Sequence, residues 1–194
     1  MSRYRYLVFG VGQTGQLACR MLMAAGAHIA AVYSRSSHLG KDVGTLLGGA
    51  PIGLTVQSVS TFDPRNAQAD VALFFTTSFI GDLMGDAKRC LAAGLRVLTI
   101  AEDAAYPWSH APDLAAELDA VAKQAGSALL SSGMNDVPMV YLPLGLAAMS
   151  SAVQRITSLS IGNFGRLGEA TLNHMGIGGT VEDFQRIVST SPAG

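Results

Sequence analysis

YRYLVFGVGQTGQLACRMLMAAG, residues 4 to 26, opens as a short apolar run, breaks at Gly10-Val11-Gly12-Gln13-Thr14-Gly15 and continues as an amphipathic helix. A strand, a glycine turn and a helix follow one another at G-x-G-x-x-G spacing. Each glycine has its own physical role, since Gly10 allows a tight exit from the strand, Gly12 lets the backbone approach a pyrophosphate, and Gly15 lets the helix lie close to the sheet. The helix start, with Gln13 and Thr14 in its first turn, presents unpaired N–H groups and the positive end of its dipole. Such a site attracts an anion without a lysine, which favours a dinucleotide over a P-loop nucleotide.

The chain has 194 residues, 49% hydrophobic and 14% charged, enough for one full domain and part of a second. Its net charge of −1 provides no basic face for nucleic acid, and no run of lysine or arginine marks a membrane surface. Met1 to Arg5 leads into a strand ending in glycines, unlike a signal peptide, and no apolar run reaches transmembrane length. Cys19 and Cys90 fall in predicted helices as small apolar residues of a reducing compartment. A cytoplasmic protein is expected.

Outward from the glycine turn, His28 to Tyr33 (HIAAVY) is a second buried strand, and its end selects the cofactor. Where NAD would need an acid, the chain has Ser34-Arg35-Ser36-Ser37. Arginine can pair in a fork with the 2′-phosphate of NADP while the serine hydroxyls add hydrogen bonds, so NADP is expected rather than NAD. Leu54 to Val59 reads as an edge strand. Asp70 to Thr77 (DVALFFTT) reads as a central strand buried on both faces, ending in Thr76-Thr77-Ser78, whose hydroxyls face the cofactor or, for Ser78, cap the helix from Phe79 to Ala93. Leu95 to Ile100 makes the next strand and leads into Glu102-Asp103 and Tyr106-Pro107-Trp108. A carboxylate at this strand end lies where the nicotinamide is expected, so Glu102 is the catalytic candidate. A helix from Leu114 to Ala125, stopped by Gly126, and a sixth strand over Ser127 to Ser132 complete the pattern.

These motifs resemble the 2,4-diaminopentanoate dehydrogenases and related native amine dehydrogenases, which share the fold of dihydrodipicolinate reductase. The resemblance rests on Gly10 to Gly15, Gly40-Lys41-Asp42-Val43-Gly44, Thr76-Thr77-Ser78 and, most specifically, Glu102-Asp103 with Tyr106-Pro107-Trp108. It continues through Gly133-Met134-Asn135, Leu142-Pro143-Leu144 and Gly176-Ile177-Gly178-Gly179. It implies an α/β protein: a Rossmann-type doubly wound parallel sheet over residues 1–133, followed by a partial α+β substrate and dimerisation domain over 134–194. In that family the acid matching Glu102 is the catalytic group, and the aromatic loop shapes the amine pocket.

Two departures stand out. Where the family has an asparagine-proline-glycine turn, this chain has Asn135-Asp136-Val137-Pro138. The substrate domain also reads as incomplete, with a lone strand from Val153 to Gly162 and a helix from Val181 to Val188. Either the chain is a fragment or another copy completes its sheet, and a homodimer is expected.

The resemblance implies hydride transfer between NADP and an amine or imine carbon of a small molecule. In the reductive direction Glu102 orients ammonia, takes its proton during attack on a carbonyl and stabilises the iminium, provided the site is partly desolvated. Tyr106, Trp108, Asn135 and His174 are candidates for the substrate pocket, each with a packing role as the alternative, and His110 is a weaker candidate for proton relay. No Cys, His or acid cluster has metal-ligand spacing, so no metal is expected. Two other readings remain: an imine reductase like dihydrodipicolinate reductase, whose basic substrate cluster is not evident here, and a truncated module that binds NADPH without turnover.

Overall fold

The computed structural model describes residues 4–133, 135–159, 161–163, 172–173 and 175–190. Six strands form one sheet: β1 (Arg5–Phe9), β2 (His28–Ser34), β3 (Val56–Ser58), β4 (Val71–Phe74), β5 (Arg96–Thr99) and β6 (Leu129–Ser131). Their spatial order is β3-β2-β1-β4-β5-β6 and every pair is parallel. Order reverses between β1 and β4, so the carboxyl ends of these two strands open the crevice in which doubly wound sheets bind ligands. This is the Rossmann-type α/β sheet that the glycine turn and the apolar runs predict.

Parallel strands bury both faces, and side chains alternate between them. On one face Leu7 and Phe9 of β1 join Ala72 and Phe74 of β4 under α3 (Ile80–Ala92) and α4 (Pro112–Ala125). On the other, Val8, Val32, Leu73 and Val56 pack with Cys19 of α1 (Gln13–Ala24) and Val43 of α2 (Val43–Leu46). The first face carries an aromatic cluster centred on Phe9, whose ring stacks on Phe74 at 4.4 Å and on Tyr33 at 5.2 Å and meets Phe62 edge-on at 5.0 Å. Three strand ends and the loop after β3 are thereby locked together beneath the crevice. Both cysteines are buried, and burial together with the Asp86 charge pushes the Cys90 thiol up to about 12.

Beyond β6 the chain turns through Val137–Tyr141 into α5 (Leu142–Ala147), and Val181–Thr190 forms α6. By internal contacts the chain divides into one compact unit ending at Val153 and a second beginning at Gln154. The strand expected over Val153 to Gly162 is not found: the described residues there are exposed and hold no regular structure. An isolated strand has no neighbour to take its N–H and C=O groups, so local β propensity alone does not form one. Among the described residues no helix is long and apolar enough to cross a membrane.

Candidate active site

The glycine turn has the geometry its spacing demands. Gly10 takes a φ of +92°, and a Cβ there would stand 2.6 Å from the Phe75 carbonyl oxygen. A Cβ on Gly15 would lie 2.0 Å from the Gly10 carbonyl oxygen, so β1 and α1 approach more closely than any side chain permits. At Gly12 nothing lies within 4 Å of the added atom, and the residue is exposed. The backbone is thus closed to side chains on the protein side and open where a phosphate would approach. No side chain caps α1 and no acid occupies its first turn, leaving the N–H groups around exposed Gln13 and Thr14 available to an anion. These residues fit a dinucleotide.

Beside this turn a pocket at the carboxyl ends of β1, β2 and β4 brings together Gly10, Tyr33, Ser34, Arg35, Thr76 and Leu83. Four sequence candidates meet here. Ser34 is buried, with its hydroxyl 2.9 Å from that of Ser37, while Arg35 and Ser36 are exposed. The Arg35 guanidinium donates to the Asp82 carbonyl in the first turn of α3 at 2.6 Å.

The start of α3 differs from expectation. Ser78 is exposed and is not the cap; the Thr77 hydroxyl accepts from the Phe79 N–H at 3.1 Å and donates to the Asp82 carboxylate at 3.1 Å. A second acceptor comes from far along the chain, Asp103 Oδ1, which takes the Ile80 N–H at 2.7 Å. A helix start so served does not need the nearest serine. Burial pushes the Asp103 carboxyl above the usual carboxylate range, against the Ile80 hydrogen bond and the nearby His110, whose Nε2 lies 3.8 Å from Oδ2.

Glu102, one residue earlier, projects from a single helical turn, Glu102–Ala105, directly beyond β5. It is exposed rather than desolvated, and its Oε1 accepts from Asn135 Nδ2 at 2.7 Å. The catalytic candidate and one pocket candidate, 33 residues apart in sequence, therefore meet directly. Tyr106 and Trp108 lie on the same loop, 65% and 44% exposed, so their rings face solvent rather than a packed interior. His174 lies outside the described residues. Among the described residues no group of three His, Cys, Asp or Glu side chains could hold a metal.

Asn135 and Asp136 follow β6. Asp136 has helical backbone angles, φ −63° and ψ −44°, at the start of the Val137–Tyr141 turn. Its carboxylate is buried and accepts from the Gly133 N–H at 2.7 Å and from the Ser131 hydroxyl. Asp103, Ser131 and Asp136 were not sequence candidates. Only the contacts that folding makes across the sheet reveal them.

Sheet order and glycine turn define a Rossmann-type α/β fold. No family model matches the chain. It is 28% identical over 191 residues to 2,4-diaminopentanoate dehydrogenase of Acetoanaerobium sticklandii, covering 96% of this chain and 54% of that protein. The structure of an amine dehydrogenase from Mycobacterium smegmatis superposes with a TM-score of 0.65 at 32% identity, over 74% of this chain and 44% of the other. A biliverdin reductase from Synechocystis, solved with biliverdin and NADP+, has a TM-score of 0.52 at 16% identity over 75% of this chain and 42% of its own, a likeness of fold alone. The chain spans about half the length of the curated relative it matches. The first two findings support the resemblance to the 2,4-diaminopentanoate dehydrogenases and amine dehydrogenases read from the motifs.

Proposed function

We propose that this chain belongs to an NADP-dependent oxidoreductase acting on CH–NH2 groups, in which hydride passes between the nicotinamide and an amine or imine carbon of a small molecule. The observation that carries this reading is the Glu102 carboxylate, directly beyond the β5 strand end and held on one oxygen by Asn135. With Oε1 engaged, the second oxygen is the one turned to chemistry. It takes a proton from ammonium, leaving ammonia to add to a carbonyl carbon, returns that proton to the hydroxyl of the resulting carbinolamine so that water leaves, and, ionised again, balances the positive iminium. When bound, the reduced nicotinamide supplies the hydride that converts this iminium to the amine. Tyr106 and Trp108, exposed on the same loop, would supply apolar surface for the rest of the substrate.

On the cofactor side, Gly10, Gly12, Gln13, Thr14 and Gly15 would hold the pyrophosphate, with Thr76, Thr77 and Ser78 along the crevice. Ser34, Arg35 and Ser36 would hold the adenosine 2′-phosphate, the feature that selects NADP over NAD. In the proposed division of labour residues 1–133 bind the nucleotide and residues 134–194 contribute to the substrate pocket and to a homodimer, in the cytoplasm. Sedimentation at micromolar concentration giving a monomer would remove the dimer.

The deciding assay follows NADPH oxidation with a panel of aldehydes and ketones, with and without ammonia. Ammonia-dependent turnover is expected, and Glu102→Ala should lower kcat by about 10²–10⁴-fold, the usual contribution of a positioned acid–base group, with NADPH affinity unchanged. Wild-type turnover in that variant removes Glu102 from the reaction. Arg35→Asp should weaken NADPH binding by about 1.5–3 kcal/mol, the range of a hydrogen bond to a charged group, and favour NADH. Titration of both cofactors checks it, and unchanged NADPH affinity refutes the NADP assignment.

A further inference from the structure

Among the described residues, Asp136 is the one carboxylate buried as deeply as the hydrophobic core, 2% exposed. The pair it adjoins is more open, with Asn135 half-buried. Glu102 is exposed, and a hydrogen bond between water-accessible side chains does not by itself hold a long carboxylate in one rotamer, because solvent competes and rotamer entropy opposes. Preorganisation must come from what lies beneath.

We propose that Asp136 is a positioning residue that fixes Asn135, and through it the Glu102 carboxylate, in the catalytic geometry; this rests on the functional reading above. The contacts form a closed ring. Glu102 accepts from Asn135 Nδ2 at 2.7 Å, and Asn135 is bonded to Asp136 through the backbone. Asp136 Oδ2 meets the Ser131 hydroxyl, which lies 2.8 Å from the Ala101 carbonyl oxygen, and Ala101 leads straight back to Glu102. Half of the ring is in water and half is dry: Ala101, Ser131 and Asp136 are 0%, 1% and 2% exposed. The dry half ties the end of β6 to the residue before Glu102, so both ends of the Glu102–Asn135 pair are set by buried groups.

Two contacts hold Asp136 itself and a third holds its partner Ser131. Its Oδ2 accepts the Gly133 N–H at 2.7 Å, its own N–H donates to the Gly133 carbonyl at 3.2 Å, and the Tyr141 hydroxyl donates to the Ser131 carbonyl at 3.0 Å. Gly133 has no spare room, since an added Cβ would lie 3.0 Å from Asp136 Oδ2 and 3.1 Å from the Ile100 carbonyl oxygen. Removing the carboxylate would leave the buried Gly133 N–H without its acceptor and free the turn that carries Asn135.

The test compares Asp136→Ala, Asp136→Asn and Ser131→Ala in the whole chain. It reads ammonia-dependent NADPH oxidation and the pH titration of the Asn135 side-chain amide NMR signals, with Glu102→Gln marking the response that Glu102 causes. Asp136→Ala should lower kcat by about 10–100-fold with the NADPH KM within about twofold, and should collapse the Asn135 titration. Asp136→Asn keeps an oxygen where one oxygen already makes both contacts, and should restore both readouts to within about threefold. Ser131→Ala leaves Gly133 its acceptor and should fall between them; it decides the matter if Asp136→Ala does not fold. Unchanged kcat and titration in folded Asp136→Ala, or an Asp136→Asn no better than alanine, overturns the proposal. Should the wild-type chain bind NADPH without ammonia-dependent turnover, the functional reading falls, while the Asn135 titration still decides whether Asp136 positions the pair.

Discussion

At Gly15 the space for one methyl group is already occupied, by the Gly10 carbonyl oxygen 2.0 Å from where a Cβ would be. Gly15→Ala must push α1 off the sheet, which should cost about 1–3 kcal/mol or more in urea unfolding and weaken NADPH binding with it. Gly12 makes the contrasting case, because a Cβ there meets no protein atom within 4 Å. Gly12→Ala should leave stability within about 0.5 kcal/mol and still cut NADPH affinity at least tenfold, since the methyl group occupies the side on which a phosphate would sit. Unaltered affinity in Gly12→Ala would mean that the turn does not hold a pyrophosphate. Both residues were legible in the sequence because spacing alone states what each must do. Asp103 was not, since an acid 23 residues from the helix it caps leaves no local pattern.

Among the elements, α3 gathers partners from three strand ends. Arg35 from the end of β2, Thr77 from the end of β4 and Asp103 from beyond β5 all hydrogen-bond within its first turn or just ahead of it. The two sides of the candidate site are thereby set by one helix start. Asp103 also makes a pH signature. Its folded-state pKa lies above the unfolded value, chiefly through burial, so the native state holds the proton more tightly. Its contribution is fully present below the ordinary carboxylate pKa and is lost as pH rises through the raised one. Asp70 works in reverse: the Arg5 N–H, donated at 2.7 Å, lowers its pKa, so its contribution is present above the unfolded pKa and lost as pH falls through the lowered one. Relative to wild type, Asp103→Asn should therefore gain stability as pH rises above about 4, as urea midpoints would show, whereas Asp70→Asn should lose stability relative to wild type as pH rises towards about 4 and keep a constant deficit above it. A parallel pH profile for Asp103→Asn and wild type would contradict the assignment.

For the molecule as a whole, the aromatic cluster is the packing that joins the strands beneath the site. Phe9, 1% exposed on the central strand, touches Tyr33, Phe62 and Phe74 and so joins neighbours on both sides of the crevice. Phe9→Ala should cost about 3–5 kcal/mol, measured by urea unfolding, and a loss below about 1 kcal/mol would mean that the cluster repacks around the vacancy. The sequence by itself determined the parallel sheet, the two-faced core, the glycine cradle and the choice of Glu102 as the strand-end acid, because period, spacing and chain position carry that information locally. It placed a strand at Val153 where the described residues form none, and offered Ser78 as a possible cap where Thr77 and Asp103 take the N–H groups. Tertiary structure alone decided that Asn135 meets Glu102 and that Asp136 lies buried beneath them. Those contacts join β5 to β6, and hydrogen bonds between residues about thirty positions apart depend on strand order and register, which only the packed sheet sets.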